Sequence, residues 1–181
     1  MASKTRERRE RKPAAPLDAG ALQAVAVRYV ERFQTSRARL IRLLEQKLRQ
    51  RGWEEGGAPP DLDAIADRMV ELGYVNDALF AESRARGLSR RGLGQARVRQ
   101  TLAANGIDGD VQASALEQVD ALEAALLFAR RKRLGPFGPP PEDRSAEEKQ
   151  LAAMARAGHP SVLARAIVRA RSEDELPNAF D

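Results

Sequence analysis

Cysteine is absent from the 181-residue chain, and histidine occurs once. Without thiols there is no disulfide framework, no thiolate metal ligand and no cysteine nucleophile. One imidazole, His159, cannot build a multi-histidine metal centre. It stands in GHPS at a helix start and reads as a cap or a solvent-facing side chain. No nucleophile finds a base, so no catalytic residue, no metal and no cofactor is expected. Aromatics make up only 4% of the chain. Tyr29, Phe80 and Phe128 fall on apolar helical faces and read as core rather than as a stacking platform for bases. No run of 18 apolar residues occurs, and no apolar stretch follows the N-terminal charges. The expectation is a cytoplasmic protein with no membrane contact.

What is abundant is charge: 31 basic against 26 acidic side chains, a formal net charge of +5. The first twelve residues, MASKTRERRERK, hold six of the bases and two of the acids, so the rest is nearly neutral, at 25 against 24. Basic segments within that rest therefore stand out locally.

Residues 1–16, ending in KPAAP, lack apolar periodicity and read as a disordered basic arm. From Leu17 onward apolar residues recur every three or four positions, Ala, Leu, Arg and Glu dominate, and β-branched runs are missing. The predicted class is all-α. Thr35 or Ser36, Asp61, Asn76 or Asp77, and Asp108 are N-cap candidates. Gly52, Gly73, Gly92 and Gly106 are stops. Leu40, Leu48, Met69, Leu72, Leu79, Phe80, Val98 and Leu102 are assigned inward. Between Val111 and Leu134 no breaker decides between one long helix and two meeting near Asp120. GPFGPPPED is a loop, and helices over about 144–157 and 160–171 precede an acidic tail, residues 172–181.

Leu48, Leu102 and Met154 are each followed four residues later by a glycine, at spacings of 54 and 52 residues. That period predicts three tandem three-helix repeats, residues 17–73, 74–121 and 122–171, in an elongated or curved molecule. Such repeats touch only their neighbours, so hinges are expected near Gly73 and Asp120.

SRRGLGQARVRQ, residues 89–100, lies in a segment with six arginines (Arg84, Arg86, Arg90, Arg91, Arg97 and Arg99) and no acid between Glu82 and Asp108. Gly92 and Gly94 suit a tight helix-to-helix turn, one stopping a helix and the other letting backbones approach. A solvated face with helix-end cations is the bland reading. Six like charges repel, however, and an anionic partner relieves that repulsion. A second cluster, Arg130, Arg131, Lys132 and Arg133, closes a helix and serves the dipole as well as it would a partner. Gly-X-Gly at 92–94 joins two helices and is no dinucleotide fingerprint.

GYVNDALFAESRARGLSRRGLGQARVRQTLAANGI, residues 73–107, resembles the central segment of the RecX family of RecA regulators, whose pattern runs G-Y-[LI]-D-D-x-x-F-A, then S-[RK]-[RK]-G-Y-G-P-x-R-I-x-x-E-L and a closing K-G. SRARLIRLLEQKLRQRGW resembles the family's first unit. LFARRKRLG and SAEEKQLAAMARAGH resemble the third more loosely, so the likeness spans about residues 20–171. Asn76 stands where an acid is usual, Leu93 for an aromatic, Gln95 for proline and Thr101 for an acid, and EEGGAPP lengthens a loop. The resemblance implies a non-enzymatic, monomeric helical-repeat protein that binds the groove of the RecA nucleoprotein filament. It would restrain strand exchange, ATP hydrolysis and co-protease activity in DNA repair. Arg90, Arg91, Arg97 and Arg99 match the family's basic positions, with Arg84 and Arg86 beside them and Arg130–Arg133 as a secondary contact. Single- or double-stranded DNA is a further partner. The competing reading is a direct DNA-binding module of helix-turn-helix type.

Overall fold

A computed structural model describes residues 15–176. The basic arm up to residue 14 and the last five residues of the acidic tail lie outside them. Among the described residues nine α-helices follow one another: α1 (Ala19–Val30), α2 (Arg37–Arg51), α3 (Leu62–Glu71), α4 (Asp77–Ser89), α5 (Gln95–Ala104), α6 (Gly109–Glu117), α7 (Ala121–Lys132), α8 (Arg144–Arg156) and α9 (Ser161–Arg169). In place of any sheet there is one isolated parallel bridge, Leu17 to Trp53. Leu17 is therefore not helical. Its N–H donates to the Gly52 carbonyl at 3.0 Å and its own carbonyl accepts from Glu54, which ties the chain's entry to the end of α2.

Caps set most helix starts. Ser36, Asp61, Asn76, Asp120 and Asp143 each accept from a backbone N–H three residues ahead, satisfying donors that the first turn leaves unpaired. The cap at Asp120 divides 109–132 into two helices. Asn76 does the work of the acid usual there, because either side chain offers the needed oxygen.

Packing sorts the helices by threes. Leu22, Ala26, Leu40, Leu44 and Met69 centre the core of α1–α3. Phe80, Ala85, Val98, Leu102 and Leu116 centre that of α4–α6. Phe128, Ala129, Met154, Ile167 and Val168 centre that of α7–α9. Extensive helix-to-helix packing stays within these groups. Leu93, standing where the family usually has an aromatic, packs against the second and third cores together.

Several inward assignments are corrected. Leu79 is 55% exposed and Leu72 lies outward too. The buried stripe of α4 is Phe80, Ala81, Ala85 and Leu88, because alanines let α5 and α6 pack close to it. In α7, where the apolar spacing allows Leu126 or Leu127 to face inward, Leu126 packs against the core and Leu127 is exposed, beside the buried Ala124, Ala125 and Phe128. Helix α4 ends at Ser89, before Gly92. Part of the GPFGPPPED loop is a 3-10 turn, Gly135–Phe137.

Candidate functional site

The turn between α4 and α5 lies at the joint between the second and third units, and the joint explains its glycines. Gly92 has φ of 74°, and a Cβ there would stand 2.9 Å from the Phe128 backbone nitrogen in α7. Gly94 has an ordinary φ of −75°, but a Cβ on it would overlap the Gly158 carbonyl. The gap is closed by backbone. Gly94 N–H donates to Ala157 O at 2.9 Å, and Ala96 N–H donates to Gly158 O at 3.2 Å. The first amides of α5 thus meet the last carbonyls beyond α8, each end satisfying the other's unpaired groups and opposing the partial charges of the two dipoles.

His159 completes this joint, correcting its reading as a cap or solvent-facing group. It is 5% exposed, its Nε2–H donates to the Gly92 carbonyl at 3.1 Å, and its ring lies 5.5 Å from that of Phe128. Pro160 takes the N-cap position instead. Burial pulls the imidazole below its ordinary pKa, and the bond to Gly92 opposes that only in part. The ring is held neutral, with Nδ1 buried and without a hydrogen-bond partner among the described residues.

An equivalent meeting joins α5 to α2. Ser36 Oγ donates to Asn105 O at 2.7 Å and Arg42 Nη2 to Ala104 O at 3.2 Å, while Gly106 lies against Ala38. Asp77 of α4 accepts from the Arg37 N–H at 2.8 Å. The Arg37 guanidinium in turn bonds Asp67 at 2.6 Å and Asp63 at 2.8 Å, which holds the Asp67 carboxyl below its usual range. Two members of the glycine period, Gly106 and Gly158, therefore mark where one unit abuts the one before.

The six arginines do not form one patch. Arg84 of α4 and Arg91, in the turn just past the end of that helix, join Arg39 of α2 around a cleft of about 210 Å³ that also takes in Gln34, Phe80 and Ser83. The Arg39 guanidinium lies 5.7 Å from the Phe80 ring centroid. Among the described residues no acid lines this cleft. Arg86 points elsewhere, pairing with Glu82 at 3.4 Å and bonding Gln118. Arg97 donates to Gln100 at 2.6 Å, and its carbonyl accepts from Thr101. Arg90 and Arg99 are exposed, without an ion pair among the described residues. In the second cluster Arg130 is engaged by Glu173 at 2.6 Å and by the Phe137 ring at 5.0 Å. Arg131, Lys132 and Arg133 stay exposed, with Arg133 in the left-handed region at φ 56°. Arg39 escaped sequence reasoning, because the fold brings it to Arg84 from 45 residues away.

Residues 76–116, spanning nearly all of α4–α6, match the model of the RecX second three-helix domain. The regulatory protein RecX of Myxococcus xanthus is 31% identical over 156 residues, which cover 81% of this chain and 83% of that protein. The chain belongs to the RecX family. A second relative, the regulatory protein RecX of Mycolicibacterium vanbaalenii, is 32% identical over 180 residues, 88% of this chain and 95% of that protein. The crystal structure of RecX from Lactobacillus salivarius superposes with a TM-score of 0.61 at 18% identity, covering 83% of this chain and 94% of that one. A second RecX crystal structure gives 0.62 at 19%, covering 83% and 73%. The all-α repeat fold is thus the RecX fold. Among the described residues no helix is long and apolar enough to cross a membrane, and no cluster of His, Asp and Glu could hold a metal ion.

Proposed function

We propose that this RecX protein regulates by binding rather than by catalysis, docking on the RecA nucleoprotein filament through the basic face that crosses the joint between its first and second units. The observation that carries the reading is the cleft where Arg39, Arg84 and Arg91 converge with no acid in its lining. Three guanidinia gathered without counter-charge repel one another, and a phosphate or carboxylate placed among them relieves that repulsion while accepting several charge-assisted bonds. Arg90, Arg97 and Arg99 extend the same polarity along α4 and α5. Arg86 and Arg130, already paired, contribute little to docking, and Arg131, Lys132 and Arg133 are a secondary contact. Occupying the filament groove would restrain strand exchange, ATP hydrolysis and co-protease activity.

The helix-turn-helix reading is the weaker. A recognition helix offers its N-terminal residues to base edges, whereas the first turn of α5 is held against the third unit by the Gly94 and Ala96 amides donating to Ala157 and Gly158.

The test is RecA ATP hydrolysis on single-stranded DNA as the protein is titrated in. Inhibition should be lost with Arg84→Glu/Arg91→Glu and kept with Arg86→Glu/Arg130→Glu. Exposed charges contribute only about 0–1 kcal/mol each, so both variants should fold. Equal inhibition by the two folded variants would remove the cleft from the docking surface.

A further inference from the structure

The first unit carries a second concave surface that the filament reading does not use. Between α1 and α2 lies a groove of about 380 Å³ with Val25 and Leu43 among its apolar lining residues. The Tyr29 and Phe33 rings border it with centroids 5.2 Å apart. Phe33 is 55% exposed. Arg28, Arg32, Lys47 and Arg51 surround the rings, and among the described residues no acid lines the groove. Arg51 already bonds the Ala15 carbonyl through Nε and Nη2. Arg28, Arg32 and Lys47 make no ion pair among the described residues.

We propose that this groove is a single-stranded nucleic-acid subsite, in which an unpaired base stacks on Phe33 and its flanking phosphates meet Arg28, Arg32 and Lys47. An exposed phenylalanine alone means nothing, since much of any protein surface is apolar. Its conjunction with a concavity and unopposed cations is what selects a ligand that has both a flat ring and a negative charge. Every base has a π-face, so stacking tolerates any sequence. An acidic amphipathic helix has complementary charge but is about 10–12 Å across, and a cavity of 380 Å³ holds less than one of its turns. A duplex hides its base faces and gains nothing from Phe33.

The filament reading is not a premise here, because the test omits RecA. The full chain is titrated into a fluorescein-labelled oligothymidylate and into an abasic strand of equal length, with anisotropy as the readout. The base-bearing strand should bind about tenfold tighter than the abasic one. Phe33→Ala should erase that difference without touching the abasic affinity, and Phe33→Trp should restore it. Arg32→Glu/Lys47→Glu should weaken both strands and flatten the log-log salt dependence by about 0.7 for each phosphate that is no longer neutralised. Equal binding of the two strands by the wild type, or Phe33→Ala binding thymidylate as the wild type does, would overturn the proposal. Polyglutamate displacing the oligonucleotide at matched charge concentration would overturn it also, by assigning the groove to an acidic protein.

Discussion

The two joints of this RecX protein connect equivalent helix ends by different chemistry. Between the second and third units backbone meets backbone, through Gly94 and Ala96 donating to Ala157 and Gly158, and the contact is sealed by the buried His159. Between the first and second, side chains reach across: Ser36 to Asn105, Arg42 to Ala104, and Asp77 to the amide of Arg37. A backbone joint admits one geometry, because its atoms are fixed by the helices that bear them. A side-chain joint yields, since rotamers can follow a small shift. The arginine cleft sits on the yielding joint, where its two walls come from different units.

That contrast is broken most directly at Gly94. Its φ suits any residue, so Gly94→Ala adds only a methyl group, aimed at the carbonyl of Gly158. Neither backbone can move without its helix, and the variant should lose about 3 kcal/mol. For a chain of this size that lowers the Tm by roughly 6–12 °C. Gly73→Ala is the control. A Cβ there meets nothing within 4 Å, and its only cost is the left-handed backbone, about 1–2 kcal/mol. Should the two variants melt alike, the close backbone approach would not be what fixes the second joint.

His159→Ala comes next. It leaves the Gly92 carbonyl without its donor and opens space beside Phe128, so denaturant unfolding should show a loss of about 1–3 kcal/mol. Ser36→Ala removes both the cap of α2 and the bond to Asn105, and should cost about 1 kcal/mol. A Ser36→Ala loss larger than that of His159→Ala would reverse the ranking of the joints.

The sequence disclosed what depends on neighbouring residues. Cap oxygens at Ser36, Asp61 and Asn76 act three positions away, so those helix starts could be read to within a residue, whereas the cap at Asp120 lies in an apolar run without a breaker and left one helix or two open. Gly94 was legible as a close approach, but the element approached was not, because Gly158 lies 64 residues further on. Leu79 misled because alanine carries no strong apolar signal, and α4 buries two alanines beside Phe80. Phe33 is hidden for the opposite reason: an aromatic four residues after Tyr29 continues the apolar period of α1, and only the fold shows that the chain has left the core. The arginines could be counted, but which of them stand unopposed depends on partners such as Glu82, Gln118 and Glu173 and on turns that periodicity does not fix.

Acid gives the smallest effect and the one most confined to a single joint. His159 is held neutral in the fold, with a pKa below its ordinary value of about 6.5, because its burial penalises the charged ring. Above about pH 6.5 both the folded and unfolded chains carry it uncharged, and stability is full. As the pH falls further the unfolded chain takes up a proton that the folded chain refuses, so stability declines until the folded pKa is passed. At pH 6 the loss should stay under about 1 kcal/mol. Asp67, held below the usual carboxylate range by Arg37, does not titrate in this window. His159→Gln keeps a donor for the Gly92 carbonyl but does not titrate. Denaturant midpoints at pH 7.5, 6.5 and 6 should therefore fall for the wild type and stay level for this variant. Amide exchange, corrected for its intrinsic pH dependence, should lose protection at Gly94 and Ala96 before Leu40. Equal decline in both proteins, or protection lost first in α2, would move the acid-sensitive point away from the second joint.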